Sequence, residues 1–270
     1  MRNALLSFLM IFALSWPAAA GPYEDGETAY FKGDYATALR LYRPLADQGH
    51  VMAQWSLGVM YERGRGVPQN YAEAVRWYRL AADQGLEIAQ YNLGNMYRRG
   101  QGVPQNYAEV VRWYRLAAVQ GLAIAQYNLG LTYFHGQGVP QNYAEAMHWF
   151  QLAADQGAAK AQFNLGVMYE NGQGVSQNYA ETVRWYQLAA DQGDADAQFN
   201  LGLIYAKGQG IPQDHIQAHM WWNLSASRQT DPARRNSAIK NRDIVAGKMP
   251  PDQIAEAQRL AREWQEEHPQ

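Results

Sequence analysis

A chain of 270 residues that is 47% hydrophobic and 18% charged can bury a large apolar core. Its formal charge of −2 and pI near 6.3, with no long run of one sign, exclude the strongly basic face that nucleic-acid readers carry. Having no cysteine, it has no disulfide staples, no thiol nucleophile and no Cys-based zinc site.

Residues 1–20 read as a secretory signal peptide. Arg2 supplies the positive start, residues 4–16 the apolar run, and Ala18, Ala19 and Ala20 the small-residue cleavage site. An apolar run of that length is short for a bilayer span, which needs about 20 residues. The expectation is an exported protein, periplasmic or secreted, that starts near Gly21 and does not insert into the membrane once the signal is removed.

Residues 24–52 read as a shortened N-terminal capping repeat, with helices over 24–30 and 35–48 joined by Lys32, Gly33 and Asp34. End repeats of a stack are commonly atypical because one face has no neighbour. Five full units follow over residues 53–230, starting at Ala53, Ala89, Ala125, Ala161 and Ala197. Their helix glycines, Gly58, Gly94, Gly130, Gly166 and Gly202, fall 36 residues apart. A fixed period of this size in helix-compatible residues marks a helical solenoid.

In the first full unit, Ala53, Leu57, Gly58 and Tyr61 recur at helical spacing, which predicts a first helix over 52–63. A glycine inside a helix costs about 1 kcal/mol relative to alanine. Glycines held in register therefore imply a bulky neighbour pressed close, and Trp77 and Tyr78 on the second helix supply that bulk. Asn70 is placed to cap the second helix, with Glu73 placed to reach back to the Asn70 N–H. The pair returns as Asn106/Glu109, Asn142/Glu145, Asn178/Glu181 and Asp214/Gln217. Gly85, Gly121, Gly157 and Gly193 stand where a left-handed residue closes each second helix. Pro68, Pro104, Pro140 and Pro212 stop the chain in the glycine-rich turn, and Ser176 is the departure.

Residues 231–270 read as a helical cap. Asp231 and Pro232 start a helix that Gly247 stops, and Ile254, Ala257, Leu260, Ala261 and Trp264 form one apolar stripe beyond it. The opposite face mixes Glu256, Arg259, Arg262, Glu266 and Glu267. That lack of basic bias favours covering the open end of the stack over lying on a membrane. The fold expected is all-α: a right-handed α-solenoid of helix-turn-helix repeats with a helical C-terminal cap.

Three motifs recur: Ala-Gln-x-x-Leu-Gly-x-x-Tyr, then Gly-x-Gly-Val-Pro-Gln-Asn-Tyr-x-Glu, then Trp-Tyr-x-Leu-Ala-Ala-x-Gln-Gly. Across residues 53–223 these resemble the Sel1-like repeat family, relatives of tetratricopeptide repeats, and the tail resembles the ending that follows such repeats in bacterial proteins. Pro250 stands where that ending would have a capping Thr or Ser. The resemblance implies a non-catalytic adaptor that binds a protein or extended peptide on its concave face. Exported bacterial members act in envelope signalling, secretion or host contact. It leaves a second class open, a periplasmic enzyme or a binder of cell-wall ligands of the peptidoglycan or β-lactam-like kind. The cysteines of the branch credited with β-lactam chemistry are missing here.

No chemistry-bearing motif competes strongly with that reading. The glycine-rich turns follow helices and lack the Lys-Ser/Thr of a phosphate loop. His215 and His219 share a helix face at a zinc-compatible spacing, but no further ligand stands nearby in sequence, so both read as surface or interface residues. No Gly-x-Ser-x-Gly is present. No cofactor, metal or nucleic acid is expected.

Residues that hold the stack should repeat, and residues free to bind should vary. The first-helix rows that vary are 52/88/124/160/196, 59/95/131/167/203, 62/98/134/170/206 and 63/99/135/171/207. By similarity to tetratricopeptide repeats these line the concave face, with the aromatic row Trp55, Tyr91, Tyr127, Phe163 and Phe199. The expected partner-binding residues are Ile88, Tyr91, Arg98, Arg99, Ile124, Tyr127, Leu131, Phe134 and His135, an apolar centre edged by charge. The aromatic row has a competing reading as packing between units. Changing Tyr127 and Phe134 to alanine is expected to lose a partner with little loss of stability. The tryptophans Trp77, Trp113, Trp149, Trp185 and Trp221 read as core.

Overall fold

The computed structural model describes residues 21–268; the expected signal peptide at 1–20 lies outside the described residues. Within them are fourteen helices and no strand. The chain divides between Trp77 and Tyr78 into two compact units.

The first unit holds α1 (Pro22–Phe31), α2 (Tyr35–Asp47), α3 (Val51–Arg63) and the start of α4 (Tyr71–Asp83). The short connection between α1 and α2 lets Asp34 cap α2, its carboxylate accepting from the Thr37 N–H at 3.1 Å. Consecutive helices pack in sequence, α1 on α2 and α2 on α3. They bury Ala29, Ala38, Tyr42, Ala46, Ala53, Leu57, Met60 and Trp77 in one cluster.

The second unit begins with the rest of α4 and continues as α5 (Glu87–Arg99), α6 (Tyr107–Val119), α7 (Ala123–His135), α8 (Tyr143–Asp155), α9 (Ala159–Asn171) and α10 (Tyr179–Asp191). It ends with α11 (Ala195–Lys207), α12 (His215–Arg228), α13 (Pro232–Ala246) and α14 (Pro251–Glu267). The repeat leucines Leu93, Leu129, Leu165 and Leu201 are fully buried, and the tryptophans Trp113, Trp149, Trp185 and Trp221 are buried as expected. The close approach at the helix glycines is real. A Cβ added at Gly130 would lie 2.6 Å from Phe150 Cδ1, and one at Gly94 would lie 2.7 Å from Tyr114 Cδ1. The ring pressed close is the second aromatic of each pair, Tyr114, Phe150 and Tyr186 at Gly94, Gly130 and Gly166, and Trp222 at Gly202. At the turns, a Cβ at Gly138 (φ +76) would meet the Tyr107 backbone at 2.6 Å, so this glycine-rich loop presses on the start of α6, as those at Gly174 and Gly210 press on the starts of α8 and α10.

One local expectation is corrected. The Asn caps form, as in Glu109 N–H to Asn106 at 3.2 Å and Glu145 N–H to Asn142 at 3.1 Å. The glutamates do not reach back. The Asn106 and Asn142 N–H groups donate instead to the Tyr97 and Tyr133 carbonyls of the first helix, at 3.2 and 3.0 Å. With that donor taken, Glu109 and Glu181 turn to Arg112 and Arg184 one turn on, at 3.2 and 3.0 Å. The cap is therefore also the clamp that ties a second helix to its first. Ser176 changes nothing in this, since Asn178 still accepts from the Ala180 and Glu181 N–H groups.

A buried glutamine ladder joins successive units. Gln126 of α7 donates to the Ala118 carbonyl at the end of α6, at 3.1 Å, and accepts from Gln156 at the end of α8, at 2.8 Å. The same pair of bonds recurs around Gln90 and Gln162. The ladder stops at Gln198, whose Oε1 is buried without a donor among the described residues. There Arg228 replaces the terminal glutamine and turns to the His268 carbonyl at 2.9 Å. The cap takes over from this point. Both α13 and α14 pack on α12, and Ala257, Ala261 and Trp264 are buried, with Trp264 6.2 Å from Trp221 edge to face. Helix α14 starts at Pro250 with no side-chain cap.

Candidate protein-interaction surface

The nine residues singled out by sequence lie on two first helices of the second unit, α5 and α7. Ile88 and Tyr91 are half-buried on α5, and Arg98 and Arg99 are exposed in its last turn. On α7, Ile124 is 46% exposed, Tyr127, Leu131 and Phe134 are half-buried, and His135 is exposed. The structure therefore presents them as a ridge with its apolar roots in the core.

The aromatic row is mainly packing, and it packs within its own repeat. Tyr91 stacks on Tyr114 at 5.6 Å, Tyr127 meets Phe150 at 5.9 Å, and Phe163 stacks on Tyr186 at 5.6 Å. Burial raises the pKa of the Tyr127 hydroxyl above the usual phenol value. Phe134 lies 5.3 Å from Tyr143 and 6.4 Å from Phe150. Both rings support the core cluster. The expectation that changing Tyr127 and Phe134 to alanine costs little stability is thus revised, since each change removes packed aromatic surface.

Residues that sequence reasoning missed come up from beneath. The fully buried ring of Tyr186 reaches past its glycine and donates its hydroxyl to Glu170 Oε2 at 2.6 Å. Likewise, Tyr114 donates to Asn95 Oδ1 at 2.7 Å, and burial lifts its pKa to about 12 against the opposing effect of Arg98. Phe150, in the unit between, has no hydroxyl and lies under Leu131 and Phe134. The second aromatic of each second helix therefore matches the polarity of the surface above it. The alternation Tyr114, Phe150, Tyr186 was visible in the sequence, but nothing there said those rings reach the opposite face. Arg79 and Arg115 donate to the Tyr97 and Tyr133 hydroxyls of the next first helix.

Toward the cap the surface turns ionic. Lys160 pairs with the buried Asp194 carboxylate at 2.9 Å, and Asp196 accepts from Arg234 at 2.6 Å and from Gln229 at 2.9 Å. In the first unit, Trp55 lines a small apolar pocket of 70 Å³ with Tyr30, Phe31, Tyr42 and Val59. His219 is 3% exposed, and burial, assisted by Arg242, holds its pKa below the usual imidazole value. No group of three or more His, Asp or Glu that could hold a metal ion occurs among the described residues.

The chain's sequence matches the Sel1 repeat model six times, at residues 18–50, 51–86, 88–122, 123–157, 159–194 and 195–229. The chain belongs to the Sel1 repeat family. A solved Sel1 repeat protein from Oxalobacter formigenes is 33% identical, covers 89% of this chain and 99% of its own, and superposes with a TM-score of 0.78. A protective antigen of uropathogenic Escherichia coli strains with an SLR fold is 28% identical over 92% of this chain and 68% of its own, with a TM-score of 0.45. An immunity protein from Pseudomonas aeruginosa is 21% identical over 77% and 83%, with a TM-score of 0.46. No curated protein sequence matches the chain. Sel1 repeat proteins are generally protein-interaction scaffolds, and their solenoids are typically non-catalytic. Among the described residues, no Sel1 helix here is long and apolar enough to cross a membrane.

Proposed function

We propose that this Sel1 repeat protein is a non-catalytic scaffold of the cell envelope. In this reading it is exported by its N-terminal segment and binds a protein or extended peptide on the face built by its first helices. One observation carries the reading. Row 98/134/170/206 runs Arg, Phe, Glu, Ala on a backbone that is otherwise nearly invariant. Residues that only hold repeats together have no reason to differ so sharply between equivalent positions, whereas a surface that reads a partner does. The apolar centre at Leu131 and Phe134, rimmed by Arg98, Arg99 and His135, has the composition of an interface core with a polar rim. Regulation of a signalling or secretion component fits such a scaffold.

The test is affinity capture from an envelope extract, comparing the protein with a Leu131→Asp/Phe134→Asp variant whose helicity and melting are checked in parallel. The reading predicts a defined partner that the folded variant fails to retain. A partner held equally by both would move the binding face elsewhere. Mass spectrometry of the exported fraction should find the chain beginning near Gly21; an intact Met1 there would overturn the export reading.

A further inference from the structure

The row 98/134/170 carries an arrangement that a general scaffold does not require. Arg98, Phe134 and Glu170 occupy equivalent positions on α5, α7 and α9. Among the described residues no carboxylate pairs with Arg98 and no cation pairs with Glu170. A buried tyrosine stands beneath each charge. The Arg98 charge acts on the Tyr114 hydroxyl, opposing the rise that burial causes in its pKa, and the Glu170 carboxylate accepts from Tyr186 at 2.6 Å. Between them the surface is apolar down to Phe150. Two opposite charges, neither in an ion pair among the described residues, thus flank one aromatic ridge.

We infer that this row reads an extended peptide bearing an acidic, a bulky apolar and a basic side chain in that order across α5, α7 and α9. The inference rests on the scaffold reading above and gives that partner its chemistry. The row crosses three successive first helices, which calls for an extended peptide that returns side chains to one face at regular intervals. A polyproline-type chain has three residues per turn and a rise of about 3.1 Å, so every third side chain returns to one face. In such a peptide the three side chains stand at i, i+3 and i+6. A flat β-strand would turn residue i+3 away from the surface.

The test uses four fluorescein-labelled peptides and the purified protein in fluorescence anisotropy titrations. Two are mixed, Asp-Pro-Pro-Phe-Pro-Pro-Lys and its reverse, because the peptide can run either way along the row. The other two carry Asp at both ends or Lys at both ends. One mixed peptide should bind about tenfold tighter than either like-charged one, as two partly exposed ion pairs allow. The exchange variant Arg98→Glu/Glu170→Arg should transfer that preference to the reversed sequence. Each single change should weaken the preferred peptide about threefold, which keeps the result readable if the exchange variant is unstable. Equal binding of all four peptides, abolished by Leu131→Asp/Phe134→Asp, would overturn the charge pattern while leaving the groove in place. If no peptide binds but the captured partner is still lost in that variant, the peptide inference falls and the scaffold reading survives. If the partner is retained as well, both fall.

Discussion

At the scale of single residues, the decisive contact is between a helix glycine and the aromatic ring packed on it. Alanine would be the better helix former at position 130 by about 1 kcal/mol, yet any Cβ there collides with Phe150. Steric exclusion therefore outweighs propensity. Gly130→Leu should lower the melting temperature sharply, by an overpacking cost of about 3 kcal/mol or more. Adding Phe150→Ala should restore part of the loss in the same thermal melt, and an unchanged melt for Gly130→Leu would remove the close-packing account. His219 provides a second residue-scale prediction. Burial disfavours its charged form, so the folded chain binds that proton less readily than the unfolded chain does. Its contribution to stability is present above the unfolded value, about 6.5, and is lost as pH falls below it. Melting curves between pH 7.5 and 5 should show a fall that is shallower in His219→Gln.

At the scale of helices, the joints matter more than the helices themselves. The second helices α6, α8 and α10 are each tied to their first by an Asn cap whose own N–H is anchored on a tyrosine carbonyl, and to their neighbours by the glutamine ladder. Gln126 touches three helices through two hydrogen bonds, and its side chain is 4% exposed. Gln126→Leu keeps the bulk but removes a donor from the Ala118 carbonyl and an acceptor from Gln156. A loss of about 1–3 kcal/mol in urea unfolding is expected, the cost of leaving buried polar groups short of partners. A half-buried counterpart such as Gln151→Leu, whose amide reaches Asp155 on its own helix, should change stability by less than about 0.5 kcal/mol.

For the whole molecule, stability is a chain of nearest-neighbour terms, because each helix packs chiefly on the ones before and after it. Damage should therefore stay local. Leu57 is fully buried in the first unit, and Leu57→Ala should cost about 2–5 kcal/mol there. Hydrogen exchange should then accelerate in α1, α2 and α3 while α9 through α12 keep their protection. Uniform acceleration along the chain would instead indicate one cooperative unit. The same locality suits a scaffold, since a surface residue such as Arg98 or Glu170 can vary from repeat to repeat without disturbing the packing beneath.

The helix boundaries, the repeat register, the buried tryptophans and the capping helices were all legible in the amino-acid sequence. Each depends on residues close together in the chain: an Asn before a helix, a Gly after it, an apolar stripe at helical spacing. Those short-range preferences recur every 36 residues, and the repetition reinforces the reading. The tertiary structure alone decided what depends on an approach between helices. It turned Glu109 away from the Asn106 N–H, because the Tyr97 carbonyl of the preceding helix arrives there first. Tyr91 and Tyr127 became half-buried supports where free binding groups were expected, because their own second helices press rings against them. The hydroxyls of Tyr114 and Tyr186 reached Asn95 and Glu170 on the far face through the space that Gly94 and Gly166 leave open. Side-chain periodicity says which face a residue takes; only packing says what has already filled it.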